Sequence, residues 1–312
     1  MNCNSSEFDL QKELRGIREE RGLSIGAATV QAIIAQHAQS RRQFNKNKLQ
    51  WRCSSGSKRA LGWIPFKSAG VKLVNGQIRF CGEFFGVWDS YDLSKYKLGT
   101  GSFSEDARGR WYFNTAVKTE VKPSEGRTSV GIDLGLKTAA TCSDGTVLER
   151  RRITDEFAKK LATSQRANKK KRIKAIHAKI KNSRNDAIHK FTTAMVENFG
   201  AIFVGDVSSK KLVKTKMAKS ILDTGWGMLK TQLEYKAIAR SVVFAEVNEK
   251  YTTQACSGCG CISSNSPKGR AGLAIREWAC AGCGTLHDRD INAAMNILRL
   301  GHQSLAVGIH VL

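Results

Sequence analysis

No apolar run in this chain reaches the roughly 18 residues that a membrane-spanning helix needs. The N-terminus, MNCNSSEFDLQKELRG, also lacks the basic-then-apolar pattern of a secretory signal. Acidic residues are scarce: 27 Asp plus Glu stand against 51 Lys plus Arg, a formal charge of +24 over 312 residues. Such an excess resists compaction and suits a polyanionic partner. A basic membrane-surface protein is the rival reading, and the lack of a spanning run weighs against it. Cysteine is plentiful at nine, but it clusters in knuckles instead of forming a secreted disulfide framework, which fits a reducing compartment. These absences leave nucleic acid as the expected partner and a bacterial cytoplasm as the expected setting. The length allows two or three domains.

What is present concentrates between Thr252 and Asn296. Cys256, Cys259, Cys280 and Cys283 form C-x2-C-x20-C-x2-C, the spacing of a zinc ribbon, and Cys261 is an extra thiol in the first knuckle. Each pair places two thiolates on one tight turn, so two turns close a tetrahedron around Zn²⁺. Five residues beyond Cys283, Asp288-Arg289-Asp290 enters a helix with Ile291, Ala294, Met295 and Leu298 on its apolar face. Asp288 is placed to cap that helix.

Earlier in the chain, residues 5–40 read as two helices. Phe8, Leu10, Leu14 and Ile17 stripe the first, Ala28, Val30, Ile33 and Ile34 the second, and Ser24 is the expected N-cap between them. Arg41, Arg42, Lys46, Lys48 and Arg52 follow, interleaved with Phe44 and Trp51, as a solvated edge or a surface that tracks phosphates. From Trp63 to Val117 the pattern becomes alternation and turns, with Asn75-Gly76 marking a hairpin in a small β-rich module expected to close as a barrel. Trp88, Trp111 and Tyr112 are assigned to its core in preference to base stacking.

Residues Pro123–Arg127 read as a linker, after which the strand TSVGIDLGL (Thr128–Leu136) carries a lone acid, Asp133, between Gly131 and Gly135. A carboxylate in a buried strand needs a cation or hydrogen bonds in compensation. A hairpin turning at Asp144-Gly145 follows, then a long helical segment at Ile153–Phe191. Arg166 to Lys190 holds ten Lys/Arg in 25 residues, including Lys169, Lys170, Lys171, Arg172 and Lys174, which suits contact with a nucleic-acid backbone. Ala201–Val207, Ser220–Arg240 and Ser241–Thr253 complete the order strand–strand–strand–helix–strand–helix–strand. That order is expected of a mixed α/β, RNase H-like fold.

GIDLGLKT around Asp133, YTTQACSGCG and CGTLHDRDINAAMNIL resemble the TnpB family of insertion-sequence proteins, relatives of type V CRISPR effectors. The resemblance covers roughly Lys12 to Leu300, including LGWIPF at Leu61–Phe66. It implies an RNA-guided DNA endonuclease that binds a noncoding guide RNA and a target DNA. Its RuvC core would be interrupted by the zinc ribbon and preceded by a helical recognition segment and a wedge module. The corresponding division is 1–50 helical, 51–122 wedge, 123–251 and 288–312 core, and 252–287 ribbon. Asp133 matches the first catalytic acid of the family and Asp290 the third. Three carboxylates suit Mg²⁺ for two-metal phosphodiester hydrolysis, while the ribbon Zn²⁺ is structural.

Two departures stand out. Where most relatives end the fourth strand in Glu-Asp or Glu-Asn, this chain has Gly205-Asp206. Taken alone, that change predicts a nuclease-inactive, RNA-guided DNA-binding protein. The fifth strand lies beside the fourth, however, and Glu249 near its end is assigned as the displaced second acid, with Glu246 its competitor. The other departure is the start: MNCNSS leads almost directly into the first helices, where relatives place a basic β-forming segment. That is expected of a misassigned start, a truncation or a reduced lobe, and it favours a third reading, a zinc-ribbon DNA-binding accessory of transposition.

Overall fold

The computed structural model describes residues 6–46, 49–50, 52–56, 58–150, 152–207, 218–272 and 274–306. Contacts divide the chain into two compact units, Met1–Glu120 and Val121–Leu312. Lys48 and Trp51 of the basic-aromatic stretch lie outside the described residues.

In the first unit, α1 (Glu7–Glu13) begins with a reciprocal cap: the Ser6 hydroxyl accepts from the Asp9 amide at 3.3 Å, and Asp9 accepts from the Ser6 amide at 2.9 Å. The helix stops at Leu14, and a short α2 (Ile17–Glu20) and α3 (Ala27–Gln43) follow, so the expected pair is three helices. The cap of α3 is Gly26, not Ser24. Phe8 and Ile33, placed on the apolar stripes, are exposed, and the buried positions are Leu10, Thr29, Ile34 and Ala38.

The β-rich part is two three-stranded antiparallel sheets. One runs β1 (Trp63–Phe66), β5 (Gly101–Glu105), β6 (Trp111–Thr115); the other runs β2 (Val71–Val74), β3 (Gln77–Phe80), β4 (Glu83–Gly86). Asn75 and Gly76 turn the β2–β3 hairpin with φ of 49° and 75°, the left-handed pair that a two-residue turn requires. Among the described residues, no strand pairing joins the two sheets into the expected barrel. They share one core, in which Phe66 and Phe80 are buried and Phe103 and Phe113 pack against them. Those four phenylalanines with Ile78 fill the space, so the expected core aromatics are displaced outward. Trp88 is 97% exposed, Trp111 52% and Tyr112 44%.

The second unit is built on a five-stranded sheet in the order β11-β10-β7-β8-β9, with ranges Val243–Val247, Phe199–Gly205, Thr128–Asp133, Thr138–Cys142 and Val147–Glu149. β10 runs parallel to both neighbours, whereas β8 is antiparallel to β7 and to β9. Helices α4 (Ile153–Glu156), α5 (Ala158–Arg166) and α6 (Lys170–Asn198) follow the hairpin. The Ser220–Arg240 segment is two helices, α7 (Ala218–Thr224) and α8 (Trp226–Arg240), broken at Gly225, whose φ is 74°.

β10 is almost wholly buried, and its period-two alternation serves two cores. Ile202 and Val204 join Val130 and Ile132 under α6 and α8, with Met195, Leu229 and Leu233. Ala201 and Phe203 face the last helix, α9 (Arg289–Ala306), with Val247 and Ile297. Glycines let α9 come close: a Cβ at Gly131 would strike the Ala294 carbonyl, and one at Gly301 would strike the Phe203 ring.

The face of α9 differs from expectation. Ile291 and Met295 are about two-fifths exposed, while Asn292, Ala293, Asn296 and Ile297 are buried. The reason lies in the adjoining loop. Asn292 and Asn296 each donate to the carbonyls of Thr252 and Ala255, and Asn292 accepts from the Ser257 amide at 2.8 Å. Polar side chains go inward because they satisfy backbone carbonyls and an amide of the loop that packs on the helix.

Candidate metal centre and acidic site

The Sγ atoms of Cys256, Cys259, Cys280 and Cys283 lie within 4.8 Å of one another. Cys256–Cys283 is 3.6 Å and Cys259–Cys280 is 3.7 Å. Thiolates around a tetrahedral ion with bonds of about 2.3 Å stand about 3.8 Å apart, so the donor set fits a four-sulfur metal site. Each knuckle is closed by its backbone: Gly260 donates to the Cys256 carbonyl and Gly284 to that of Cys280, both at 2.8 Å. Hydrogen bonds from the Thr285 hydroxyl and amide hold the Cys283 thiol low, at about 6, while the neighbouring thiols push Cys259 up. Cys261 is outside the cluster, with its Sγ turned to the Cys259 carbonyl. His287 is buried against the cluster, its Nε2 3.0 Å from Cys256 Sγ and its ring against Trp278.

β12 (Glu277–Ala279) leads into the second knuckle, and β13 (Leu286–Asp288), paired with it as a hairpin, carries the chain on to α9. Asp288 accepts from the amides of Asp290 and Ile291, both at 2.9 Å, and so caps the helix as its sequence position implies. Asp290 follows in the first turn.

Asp133 ends β7 on the face that α9 covers, two residues beyond Gly131. Gly131 touches Ala294, and Asp290 lies four residues before Ala294. Two strand residues advance about 6.6 Å and four helical residues about 6 Å, which brings the two acids to one level. Their proximity is felt. Burial, then the charges of Asp290 and Glu249, push the Asp133 carboxyl up to about 7, with Arg289 opposing.

Gly205 ends β10 on this same face, one step past the Val204↔Ile132 pair. Glu249 fills the space above it: a Cβ at Gly205 would stand 2.5 Å from Glu249 Oε2 and 3.3 Å from Glu249 Cβ. The Glu249 amide donates to Asp206 at 3.2 Å, and burial followed by the Asp206 charge raises its carboxyl. Glu246 is elsewhere. Its register partner is Val204, on the opposite face, and it pairs with Lys230 at 2.6 Å. Asp133, Glu249 and Asp290 therefore converge from three separate elements.

The basic residues are arranged differently. Lys169 is the N-cap of α6, and Lys170, Lys171, Arg172 and Lys174 occupy its first turns, all exposed. On the opposite side Ile176 and Ile180 pack with Ile153, Phe157 and Leu161. Cations at a helix N-terminus oppose the macrodipole, so this 29-residue helix gains nothing from them in isolation. Arg184 is not part of the solvent face, because it pairs with buried Asp223 at 2.5 Å.

None of Asn292, Asn296, His287 or Arg276 is singled out by spacing alone. The two asparagines at i and i+4 in INAAMN were the available signal, since one helical face that repeats an amide donor implies a fixed acceptor. Arg276 donates to Asp290 at 2.9 Å and had no local signal at all.

Comparison with known proteins adds the following. The OrfB_IS605 family, described as "Probable transposase", matches residues 112–216, and the family "Cas12f1-like, TNB domain" matches residues 226–297. A Streptomyces pristinaespiralis protein named "Putative RNA-guided DNA endonuclease" is 31% identical over 224 residues, covering 67% of this chain and 54% of the relative. "Putative RNA-guided DNA endonuclease InsQ" of Escherichia coli K12 is 32% identical over 232 residues, covering 64% of this chain and 56% of the relative. The chain thus spans about half the length of these curated relatives. The cryo-EM structure of a Cas12f1–sgRNA–target DNA complex matches 94% of this chain and 76% of that chain, with a TM-score of 0.55 at 12% identity, a likeness of fold.

Proposed function

The chain belongs to the TnpB/OrfB family, related to Cas12f, and from that premise we propose that it is an RNA-guided, Mg²⁺-dependent DNA endonuclease of a transposable element. The observation that carries the reading is the meeting of Asp133, Glu249 and Asp290, with the Glu249 carboxylate in the space that Gly205 leaves open. The sheet order β11-β10-β7-β8-β9, with β8 antiparallel beside a parallel run, supports an RNase H-like RuvC core. In this reading residues 1–50 are the recognition segment, 51–122 the wedge module, 123–251 and 288–312 the core, and 252–287 the zinc ribbon.

The donor chemistry fits two different metals. Four thiolates select Zn²⁺ and leave no open coordination position, so the ribbon ion is structural. Three carboxylates are hard ligands suited to Mg²⁺. Asp133 is raised by burial and then by the charges of Asp290 and Glu249, and Glu249 by burial and then by the charge of Asp206, a cost that a bound cation relieves. When bound, Mg²⁺ supplies water activation and leaving-oxygen stabilisation for phosphodiester hydrolysis.

The protein's part is to hold these carboxylates in register. β7 fixes Asp133 in the sheet, the Asp206 hydrogen bond fixes the backbone at Glu249, and the Asp288 cap fixes the turn that bears Asp290. Lys169, Lys170, Lys171, Arg172 and Lys174 contact nucleic-acid phosphates. Guide RNA and target DNA are the partners, and base pairing between them reads the sequence.

The test is to purify the protein with its co-expressed RNA and challenge it with a target plasmid library, with and without Mg²⁺. Mg²⁺-dependent, RNA-dependent cutting is the expected result. RNA-dependent binding without cutting would make it a nuclease-inactive guided binder, and RNA-independent binding a ribbon-type accessory of transposition.

A further inference from the structure

Both oxygens of Asp290 are taken by cations. Its Oδ2 accepts from Arg276 Nη1 at 2.9 Å, and its Oδ1 accepts from Arg289 Nη2 at 3.0 Å and Nε at 3.1 Å. Arg289 is its neighbour on α9. Arg276 is not: it belongs to the ribbon, one residue before β12, and its carbonyl accepts from the Arg289 amide at 2.7 Å. This bond extends the β12–β13 ladder one rung beyond Glu277↔Asp288. On the far side of that rung, Trp278 pairs with His287, which touches Cys256 Sγ. Two rungs therefore separate the four-cysteine cluster from the clamp on Asp290.

From this placement we infer that Arg276 is the resident counter-cation of Asp290, delivered by the ribbon, and that a divalent ion entering the site must displace it. Arg276 is a positioning residue that sets the metal affinity of the acidic site. The inference rests on the reading of Asp290 as a metal ligand. A guanidinium and a divalent ion compete for the same carboxylate lone pairs. The ion-pair hydrogen bonds are of the charge-assisted kind, so their loss is felt as at least about tenfold in affinity. Asp290 is largely shielded, with a side chain 17% exposed, and Arg276 at 36% has room to swing away. The ribbon's fold and the metal occupancy of the acidic site are thereby coupled through one short hairpin.

The sign of one measurement decides the matter. Mn²⁺ is titrated into the full-length wild-type protein and into D133N, R276Q and R276K, with free Mn²⁺ read by electron paramagnetic resonance and zinc content checked in each. R276Q should bind Mn²⁺ about tenfold tighter than wild type. R276K, which keeps the charge but loses the fork, should fall between. A merely structural arginine would give the opposite sign, because a loosened Asp290 binds metal less well. Unchanged or weaker Mn²⁺ binding by R276Q overturns the inference. Should R276Q lose zinc, R276K decides: tighter binding than wild type supports the inference, and equal or weaker binding overturns it. If D133N weakens Mn²⁺ binding while both Arg276 variants match wild type, only this inference falls. If wild type and D133N bind equally, or wild type does not bind, the three-carboxylate reading falls and takes the inference with it.

Discussion

Replacing Gly205 with alanine asks whether the space above that residue belongs to a working carboxylate. A Cβ there would stand 2.5 Å from Glu249 Oε2, well inside contact distance, and 3.4 Å from Ile297 Cδ1, which is ordinary packing. Gly205 lies in a regular strand, so alanine suits its backbone and the fold should survive. Restoring normal contact requires the Glu249 carboxylate to retreat by about 1 Å, and a misplacement of that size at a reacting centre costs about 10²-fold in rate. Removing the carboxylate outright in E249A should cost more, about 10³-fold or beyond, because it deletes a member of a unit that acts together. Once the Glu249 carboxylate is gone, the methyl group at position 205 meets only the Cβ at 249, at 3.3 Å, and Ile297 Cδ1, at 3.4 Å, and no longer displaces a reacting group. G205A/E249A should therefore be no slower than E249A, a non-additivity that two independent lesions would not show. The assay is single-turnover cleavage of a guided plasmid in Mg²⁺, with RNA binding measured in parallel and expected to hold. Wild-type cutting by either single variant would refute the reasoning, and so would losses that multiply in the double.

Asp133 should make the metal-free protein pH-sensitive. Its carboxyl titrates near 3.8 when unfolded and near 7 when folded, so the folded state binds the extra proton between those values and stability falls as pH rises through them. D133N should remove most of that slope and stabilise the metal-free protein at pH 8 by up to roughly 4 kcal/mol. Thermal melts of both proteins in chelator from pH 4 to 8 would show it, and parallel curves would contradict it. N292A leaves the Thr252 and Ala255 carbonyls and the Ser257 amide with fewer partners in a buried place. It should lower stability by about 2–3 kcal/mol in denaturant melts, whereas a change within about 0.5 kcal/mol would mean the asparagine only fills space. Glutamine at Lys170, Lys171, Arg172 and Lys174 together should weaken nucleic-acid binding and flatten the logarithmic salt dependence by about 3. An unchanged slope would remove α6 from the phosphate contacts.

Features set by short-range physics were the legible ones. Asn75-Gly76 turns a hairpin because few other dipeptides accept two left-handed residues. At Asp144-Gly145 the glycine alone is left-handed, with φ of 88°, and the Asp144 carboxylate accepts from the Thr146 amide and hydroxyl. The C-x2-C pairs cluster because a knuckle is a local object. Trp88 and Tyr112 were misplaced for the converse reason. Whether an aromatic residue is inside depends on how much space its neighbours have already filled, and four phenylalanines had filled it. The buried face of α9 shows a different limit. Apolar periodicity counts only hydrocarbon, yet a knuckle loop pressed on a helix must give its carbonyls to donors, so Asn292 and Asn296 went inward and Met295 outward.

Gly205 combines both kinds of information. Read along the chain, a glycine in place of an acid is only a loss. Read across the sheet, Val204 pairs with both Ile132 and Glu246, which puts Glu246 on the wrong face and leaves the Gly205 face open to the chain beyond Val247. A side chain at position 205 would occupy the volume that the Glu249 carboxylate now fills. An acid at 205 and an acid at 249 are thus alternatives for one volume, and this is why the missing residue and the displaced one must be weighed together.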